Sequence, residues 1–291
     1  LKRLDYYDPQ ALNDCLEILD ATPGATPLAG GTDLIPRMGN EDSSASTLVS
    51  LRRIGELKEI SANGALAIGA TTTLASLLRA ADEQSIPDAL CEASSVVGSV
   101  QIRNAATIGG NLCNAAPSAD TAPALLALDS SAVITGRQGE RKLSLAEFFK
   151  GPGATVLAPG ELLTQIEIPT DRSTWGSCYL RHTPRSRMDL AVASVAVAMR
   201  VEGGRITDAR IALGAVAPTP ILTHEAALRL IGHACELQVV DEVAALAVAA
   251  SSPIDDVRAT AAYRRHLIEV LAKRAVLTAY ARACACKEAT S

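Results

Sequence analysis

The chain has 291 residues, a net charge of −5, a pI near 5.5 and only 3% aromatic residues. Its Lys and Arg are scattered among Asp and Glu, so it has neither the basic stripe nor the stacking platform that nucleic-acid binding requires. No run approaches eighteen apolar residues and the opening residues lack a signal-peptide core, so the expectation is a cytoplasmic protein without a transmembrane segment.

A chain of this length buries about three quarters of its unfolded surface, enough for one large or two modest domains. Asp8-Pro9 forms an N-cap and first turn for a helix with Leu12, Cys15, Leu16 and Leu19 on its apolar side, stopped by Pro23-Gly24. Thr26 to Ala29 reads as a short buried strand. Leu48–Leu51 and Leu66–Ile68 read as two more, which together make a small βαββ-like unit. Helices are predicted over Leu74–Ala81 and Pro87–Val97, the second ending at Gly98. Ser144-Leu145-Ala146-Glu147 is a capping box opening another. A strand around Leu163–Ile168 closes at Pro169, and Pro169-Thr170-Asp171-Arg172-Ser173 reads as a polar linker. Leu190–Val201 and Ile206–Val216 form a hairpin around Gly203-Gly204. From Thr223 the pattern is helical and Ala-rich, through Leu237–Ala250 and Ala262–Ala283.

Two glycine pairs punctuate this series. Ala29-Gly30-Gly31-Thr32-Asp33-Leu34 follows the strand at Thr26, and Thr107-Ile108-Gly109-Gly110-Asn111-Leu112 comes roughly eighty positions later. Glycine lets backbone approach a ligand closely and reach φ > 0. Successive N–H groups in such turns form an anion-binding nest. Two nests on one ligand would suit the pyrophosphate of a dinucleotide; the plainer reading of each is a tight turn. The second pair lies in twenty-three small and polar residues, Gln101 to Pro123, read as a loop with Arg103, Asn111, Asn114, Ser118 and Asp120 available for hydrogen bonds.

Other chemistry is thinly represented. There is no G-x-G-x-x-G after a strand, no phosphate-binding loop ending in Lys-Ser/Thr and no nucleophile elbow. His224-Glu225 opens like a zinc-protease motif, but Leu228 stands where the second His belongs. The seven cysteines are dispersed without a C-x-x-C, which fits reduced thiols; Cys284 and Cys286 would point about 200° apart on a helix of 3.6 residues per turn, a poor metal pair. A chain with a candidate ligand cradle and no reacting groups fits a cofactor carrier.

The two glycine segments resemble those of the FAD-binding medium subunits of the molybdenum hydroxylases, the family of xanthine dehydrogenase, carbon monoxide dehydrogenase and 4-hydroxybenzoyl-CoA reductase types. The resemblance continues through Glu161-Leu162-Leu163-Thr164-Gln165-Ile166-Glu167-Ile168-Pro169, Asp189-Leu190-Ala191-Val192-Ala193 and Leu213-Gly214-Ala215-Val216-Ala217-Pro218-Thr219-Pro220. It implies an α+β fold: a two-lobed FAD-binding part of the vanillyl-alcohol oxidase type plus a C-terminal antiparallel sheet with packed helices. The expected boundaries are 1–57 and 58–172 for the two lobes and 173–291 for the C-terminal domain. Leu112-Cys113-Asn114 runs straight into Ala115-Ala116-Pro117, so the cysteine-bearing insertion of the 4-hydroxybenzoyl-CoA reductase branch, with its extra iron–sulfur cluster, is expected to be absent.

The resemblance also assigns residues. Leu28, Ala29, Gly30, Gly31, Thr32, Asp33 and Leu34 would wrap the FAD pyrophosphate, with the backbone of Asp33 rather than its carboxylate facing the phosphates. Thr107, Ile108, Gly109, Gly110 and Asn111 would lie on the opposite side. Asp120 matches an acid that holds the adenosine ribose, though it could equally cap the helix containing Pro123. Leu163 would pack by the isoalloxazine, or simply be a buried strand residue. Arg181 would place a cation near the flavin N1/O2 edge, or else lie on an edge strand at the surface. Tyr7 and Tyr179 are the aromatic candidates for a flavin face.

The implied function is an electron-transfer subunit, passing electrons from [2Fe–2S] clusters on a small subunit through FAD to a terminal acceptor. The molybdenum cofactor would sit on a large subunit, and the expected assembly is a dimer of heterotrimers. A stand-alone FAD oxidoreductase of the same fold and a scaffold without flavin are the competing readings.

Overall fold

The computed structural model describes residues 4–39, 45–185 and 188–288. The Cys286 side chain lies outside the described part. Three parallel strands form the first sheet, in the order Asp5–Tyr7, Thr47–Ser50, Ala25–Leu28. The helix Leu12–Ala21 connects two of them and buries Cys15, Leu16 and Leu19. It begins later than the Asp8-Pro9 signal predicts. Asp8 pairs instead with Arg53, Ala11 stands at the N-cap without a side-chain bond, and the Leu12 N–H donates to Glu56, 44 positions away. A distant carboxylate thus replaces the local cap, which no local pattern can announce.

Leu66–Ile68 is a strand, spanning Ala65–Gly69, but it does not belong to that first unit. It joins a five-stranded antiparallel sheet in the order Ile60–Ser61, Ala65–Gly69, Leu162–Pro169, Ser131–Gly136, Gly139–Ser144. The strand Leu162–Pro169 carries a bulge at Thr164, where two residues advance against one between Ile134 and Val133. The bulge explains the weak hydrophobic alternation there. Helices Leu74–Arg79 and Asp88–Ser95 match expectation. The Gln101–Pro123 segment is not a loop. It folds into short helices at Val100–Arg103, Ile108–Cys113 and Thr121–Ala127, the first two capped by the Ser99 and Thr107 side chains. Small side chains let these turns pack tightly, which is why no periodicity marks them.

The C-terminal sheet runs Gly176–His182, Ala193–Glu202, Arg205–Gly214, Ile221–Leu222, all antiparallel. Its hairpin turns at Gly203 and Gly204, with φ of +56° and +76°. Helices His224–Leu230, Leu237–Ala250 and Ala261–Glu288 follow. This sheet is buried on both faces. Cys178, Val195, Val197, Met199, Ile211 and Leu213 pack with the C-terminal helices. Tyr179, Ala196, Ala198 and Ala212 join the large core of the second lobe. The alanines fit the close approach of Thr121–Ala127.

The expected linker is a 3₁₀ turn, Thr170–Thr174, held from both sides. Arg172 lies over the Trp175 ring at 3.8 Å and reaches Asp208 at 3.2 Å and Asp129 at 3.4 Å. The first lobe keeps a separate, smaller core of Cys15, Leu16, Leu19, Val49, Leu51, Ile54 and Leu57, to which Leu162 alone is added from beyond residue 57.

Candidate functional site

Between the first lobe and the rest lies a cavity of about 790 Å³, in the upper part of the size range of small-ligand sites. One wall is the turn after Ala25–Leu28, where the chain leaves a strand and enters the helix Leu34–Gly39. Gly31 adopts φ +72°, whereas Gly30 does not lie in that left-handed region. Such alternation turns successive N–H groups to one side, the geometry of a nest. The N–H groups of Gly30, Gly31, Thr32 and Asp33 have no acceptor among the described residues. Four consecutive donors lining a cavity require an anion or water.

The opposite wall is Thr107 to Asp120, and its backbone is already satisfied where the second glycine pair lies. The N–H of Ile108 donates to Thr72, that of Gly109 to Ala70, that of Gly110 to the Thr107 hydroxyl and that of Asn111 to the Thr107 carbonyl. The expected second backbone nest is therefore absent. This wall offers side chains instead. Asn111 accepts from the Thr121 hydroxyl at 2.6 Å, which orients its amide so that the NH₂ is free to donate. Asn114 and Ser118 line the cavity beside it. The loop Leu157–Leu162 closes one end, fastened by Glu161, which takes two bonds from Arg141 and one from the Ala158 N–H. Those Arg141 bonds hold the Glu161 carboxyl below its ordinary range.

Residues 2–171 match the family model described as the FAD binding domain in molybdopterin dehydrogenase, and residues 178–279 match the CO dehydrogenase flavoprotein C-terminal domain. The chain belongs to the FAD-binding subunits of the molybdenum hydroxylases. It is 36% identical to the carbon monoxide dehydrogenase medium chain of Afipia carboxidovorans, over 96% of this chain and 97% of that one. It is 31% identical to the xanthine dehydrogenase FAD-binding subunit of Escherichia coli O157:H7, over 96% of both. Among solved structures it superposes on the CO dehydrogenase from Oligotropha carboxidovorans with a TM-score of 0.92 and 34% identity, covering 96% of this chain and 98% of that one. Quinoline 2-oxidoreductase from Pseudomonas putida 86 gives a TM-score of 0.88 at 28% identity, with coverage of 96% and 98%. This chain is thus a flavoprotein subunit of the oxidoreductase family to which these relatives belong, with FAD as its cofactor.

The residues present fit FAD. The Gly30–Asp33 donors suit a pyrophosphate, and the apolar Leu28, Ala29, Leu34, Leu162 and Leu163 lining the same cavity suit ring surfaces. Of the fifteen positions expected from sequence, thirteen line the cavity; Ile108 and Arg181 do not. Ile108 is fully buried in the second-lobe core. Arg181 is neither at the surface nor on the cavity wall. Its side chain is 8% exposed and donates to Asp120 Oδ2 at 2.8 Å and to the Val96 carbonyl at 2.8 Å. Asp120 does line the cavity, with no capping bond to its helix, because its carboxylate also accepts from the Tyr179 hydroxyl at 2.6 Å. Burial pushes the Asp120 carboxyl up from its ordinary range, opposed by Arg181. Burial, together with that carboxylate, raises the Tyr179 phenol well above its own, so Tyr179 stays a donor.

Neither Tyr7 nor Tyr179 faces the cavity, and no aromatic side chain lines it among the described residues. Sequence reasoning missed the closing loop at Leu157–Leu162, the wall at Val97-Gly98 and the arginines Arg37, Arg185 and Arg258. Arg185 and Arg258 arrive from the C-terminal domain, across the fold from either glycine pair, and carry no local signal.

Proposed function

We propose that this chain is the electron-transfer subunit of a heterotrimeric molybdenum hydroxylase, carrying electrons from [2Fe–2S] clusters of a partner small subunit to a terminal acceptor. The supporting observation is the run of four N–H groups at Gly30–Asp33 that have no acceptor among the described residues, set against a wall whose one carboxylate, Asp120, is already paired. Bound FAD supplies the chemistry: it takes electrons singly and can release two together. The chain's residues hold it. Gly30–Asp33 bind the pyrophosphate, Asn111, Asn114 and Ser118 donate from the facing wall, Asp120 accepts from the ribose hydroxyls, and Leu163 packs by the ring.

A stand-alone FAD oxidoreductase would need its own proton-transfer group near the substrate. No histidine lines the cavity among the described residues; of its carboxylates, Glu161, Asp189 and Asp120 are tied to Arg141, Arg185 and Arg181, and Asp33 sits within the run of phosphate donors itself. We further infer a dimer of heterotrimers located in the cytoplasm, with a large molybdenum-cofactor subunit beside the small one. No described helix is long and apolar enough to cross a membrane. The lobe boundaries we favour fall near residues 57 and 172, where one sheet gives way to the next.

The test is purification of the tagged full chain from its native host, followed by metal analysis and spectra. Molybdenum, [2Fe–2S] signals and FAD in the eluate are the expected result; FAD alone, with no partner subunits, overturns the electron-transfer assignment. Gly110→Asp is expected to abolish flavin retention, since it sets a carboxylate on the wall facing the phosphate donors; its Cβ would also meet the Thr107 cap hydroxyl at 2.8 Å, so flavin content is read on the folded fraction. Unchanged flavin content in that variant would refute the pyrophosphate placement.

A further inference from the structure

Arg181 and Tyr179 occupy the strand Gly176–His182 of the C-terminal sheet, yet their polar ends point out of that domain. Both converge on one carboxylate of the second lobe, Asp120, whose side chain is 8% exposed. Tyr179 takes Oδ1 and Arg181 takes Oδ2, so both oxygens are gripped from behind. The second nitrogen of Arg181 takes the carbonyl of Val96, next to Val97 and Gly98 on the cavity wall. Tyr179 is fixed in turn, because its N–H donates to Glu92, which is itself held by Arg282 from the C-terminal helix. The planar fork of arginine makes two such bonds in one fixed geometry, which lysine cannot reproduce.

We propose that Tyr179 and Arg181 are positioning residues, through which the C-terminal domain presets Asp120 for the adenosine half of FAD. The proposal rests on the reading of Asp120 as the ribose acceptor. Each carboxylate oxygen keeps a lone pair after the bonds from behind, so the grip leaves acceptor capacity toward the cavity while removing rotation about the side chain. A preset acceptor binds more tightly because its ordering cost falls on folding rather than on ligand binding. The adenosine end of the cofactor is therefore read by one lobe and aimed by the domain behind it.

The experiment titrates the flavin-stripped full chain with ADP and, separately, with FMN, which carries the ring and one phosphate but no adenosine. Wild type, Asp120→Asn, Tyr179→Phe, Arg181→Lys and the Asp120→Asn/Tyr179→Phe pair are compared below the melting temperature of each. Asp120→Asn is expected to weaken ADP by about thirtyfold and Tyr179→Phe by about tenfold, as for hydrogen bonds to a charged group. FMN affinity is expected to be unchanged. Adding Tyr179→Phe to Asp120→Asn should weaken ADP no further, because a residue acting through another is silent once that one is gone. Arg181→Lys should fall between wild type and Tyr179→Phe. A merely structural role would lower the melting temperature and leave the ADP-to-FMN ratio untouched. Full additivity in the double variant, or unchanged ADP affinity in Tyr179→Phe, overturns the positioning role while Asp120→Asn still reports on the ribose contact. Unchanged ADP affinity in Asp120→Asn overturns the ribose reading and the positioning role together.

Discussion

Gly30-Gly31 ends a strand and turns through a left-handed residue, whereas Gly109-Gly110 lies in the first turn of a right-handed helix capped by Thr107. The two pairs look alike in the sequence, and both border the cavity. Among the described residues only the first leaves its N–H groups unpaired; the second spends its two on the Ala70 carbonyl and the Thr107 hydroxyl. Nor does bare backbone face the ligand at every glycine. A Cβ on Gly30 would fall well inside the Ala105 carbonyl, and one on Gly109 would lie 2.6 Å from the Ala70 carbonyl oxygen. Those two glycines let one stretch of chain approach another. A glycine pair thus announces that something must come close, without saying whether it is a ligand or the protein itself.

Substitutions at three glycines separate these roles. Gly30→Ala is expected to be the most damaging, since backbone rather than a movable side chain blocks it, and the first lobe meets the second there. About 3 kcal/mol of destabilisation is expected in urea unfolding, with flavin lost from the purified chain; a wild-type midpoint would show that the lobes dock by another route. Gly109→Ala should cost about 2 kcal/mol, because the Ala70 side chain and carbonyl must both give way. Flavin is expected to stay with the folded fraction, and selective flavin loss at wild-type stability would mean that Gly109 serves the ligand directly. Gly31→Ala should cost least, roughly 1–2 kcal/mol for a Cβ at positive φ, its neighbours being the flexible Ile35 and Leu28 side chains. It should nevertheless weaken FAD, by re-aiming the free donors. Gly31→Asn, better tolerated in that conformation, should recover part of the affinity, and equal binding by both variants would argue against the nest.

The legible parts of this molecule were those set by local patterns. The helices Leu237–Ala250 and Asp88–Ser95, the hairpin around Gly203-Gly204 and the first glycine turn all follow from periodicity or turn chemistry within a few residues. What stayed hidden depends on distant partners. Glu56 caps the helix at Leu12, Arg172 turns an apparent linker into a clasp, and Arg181 is drawn inward by Asp120, 61 positions away. The helical turns of Gln101–Pro123 were masked for another reason: their alanines and glycines are buried by size rather than by hydrophobicity, so no apolar stripe records their packing.

Leu162 packs in the core of the first lobe and Leu163 in that of the second, and both border the cavity. A single peptide bond thus spans the partition between two cores of unequal size. Any hinge that swings the small lobe away must either pull Leu162 out of its apolar surroundings or carry the strand with it. Cofactor escape and lobe opening are then two views of one event, and amide exchange at Leu162 and Leu163 is expected to slow when FAD occupies the cleft.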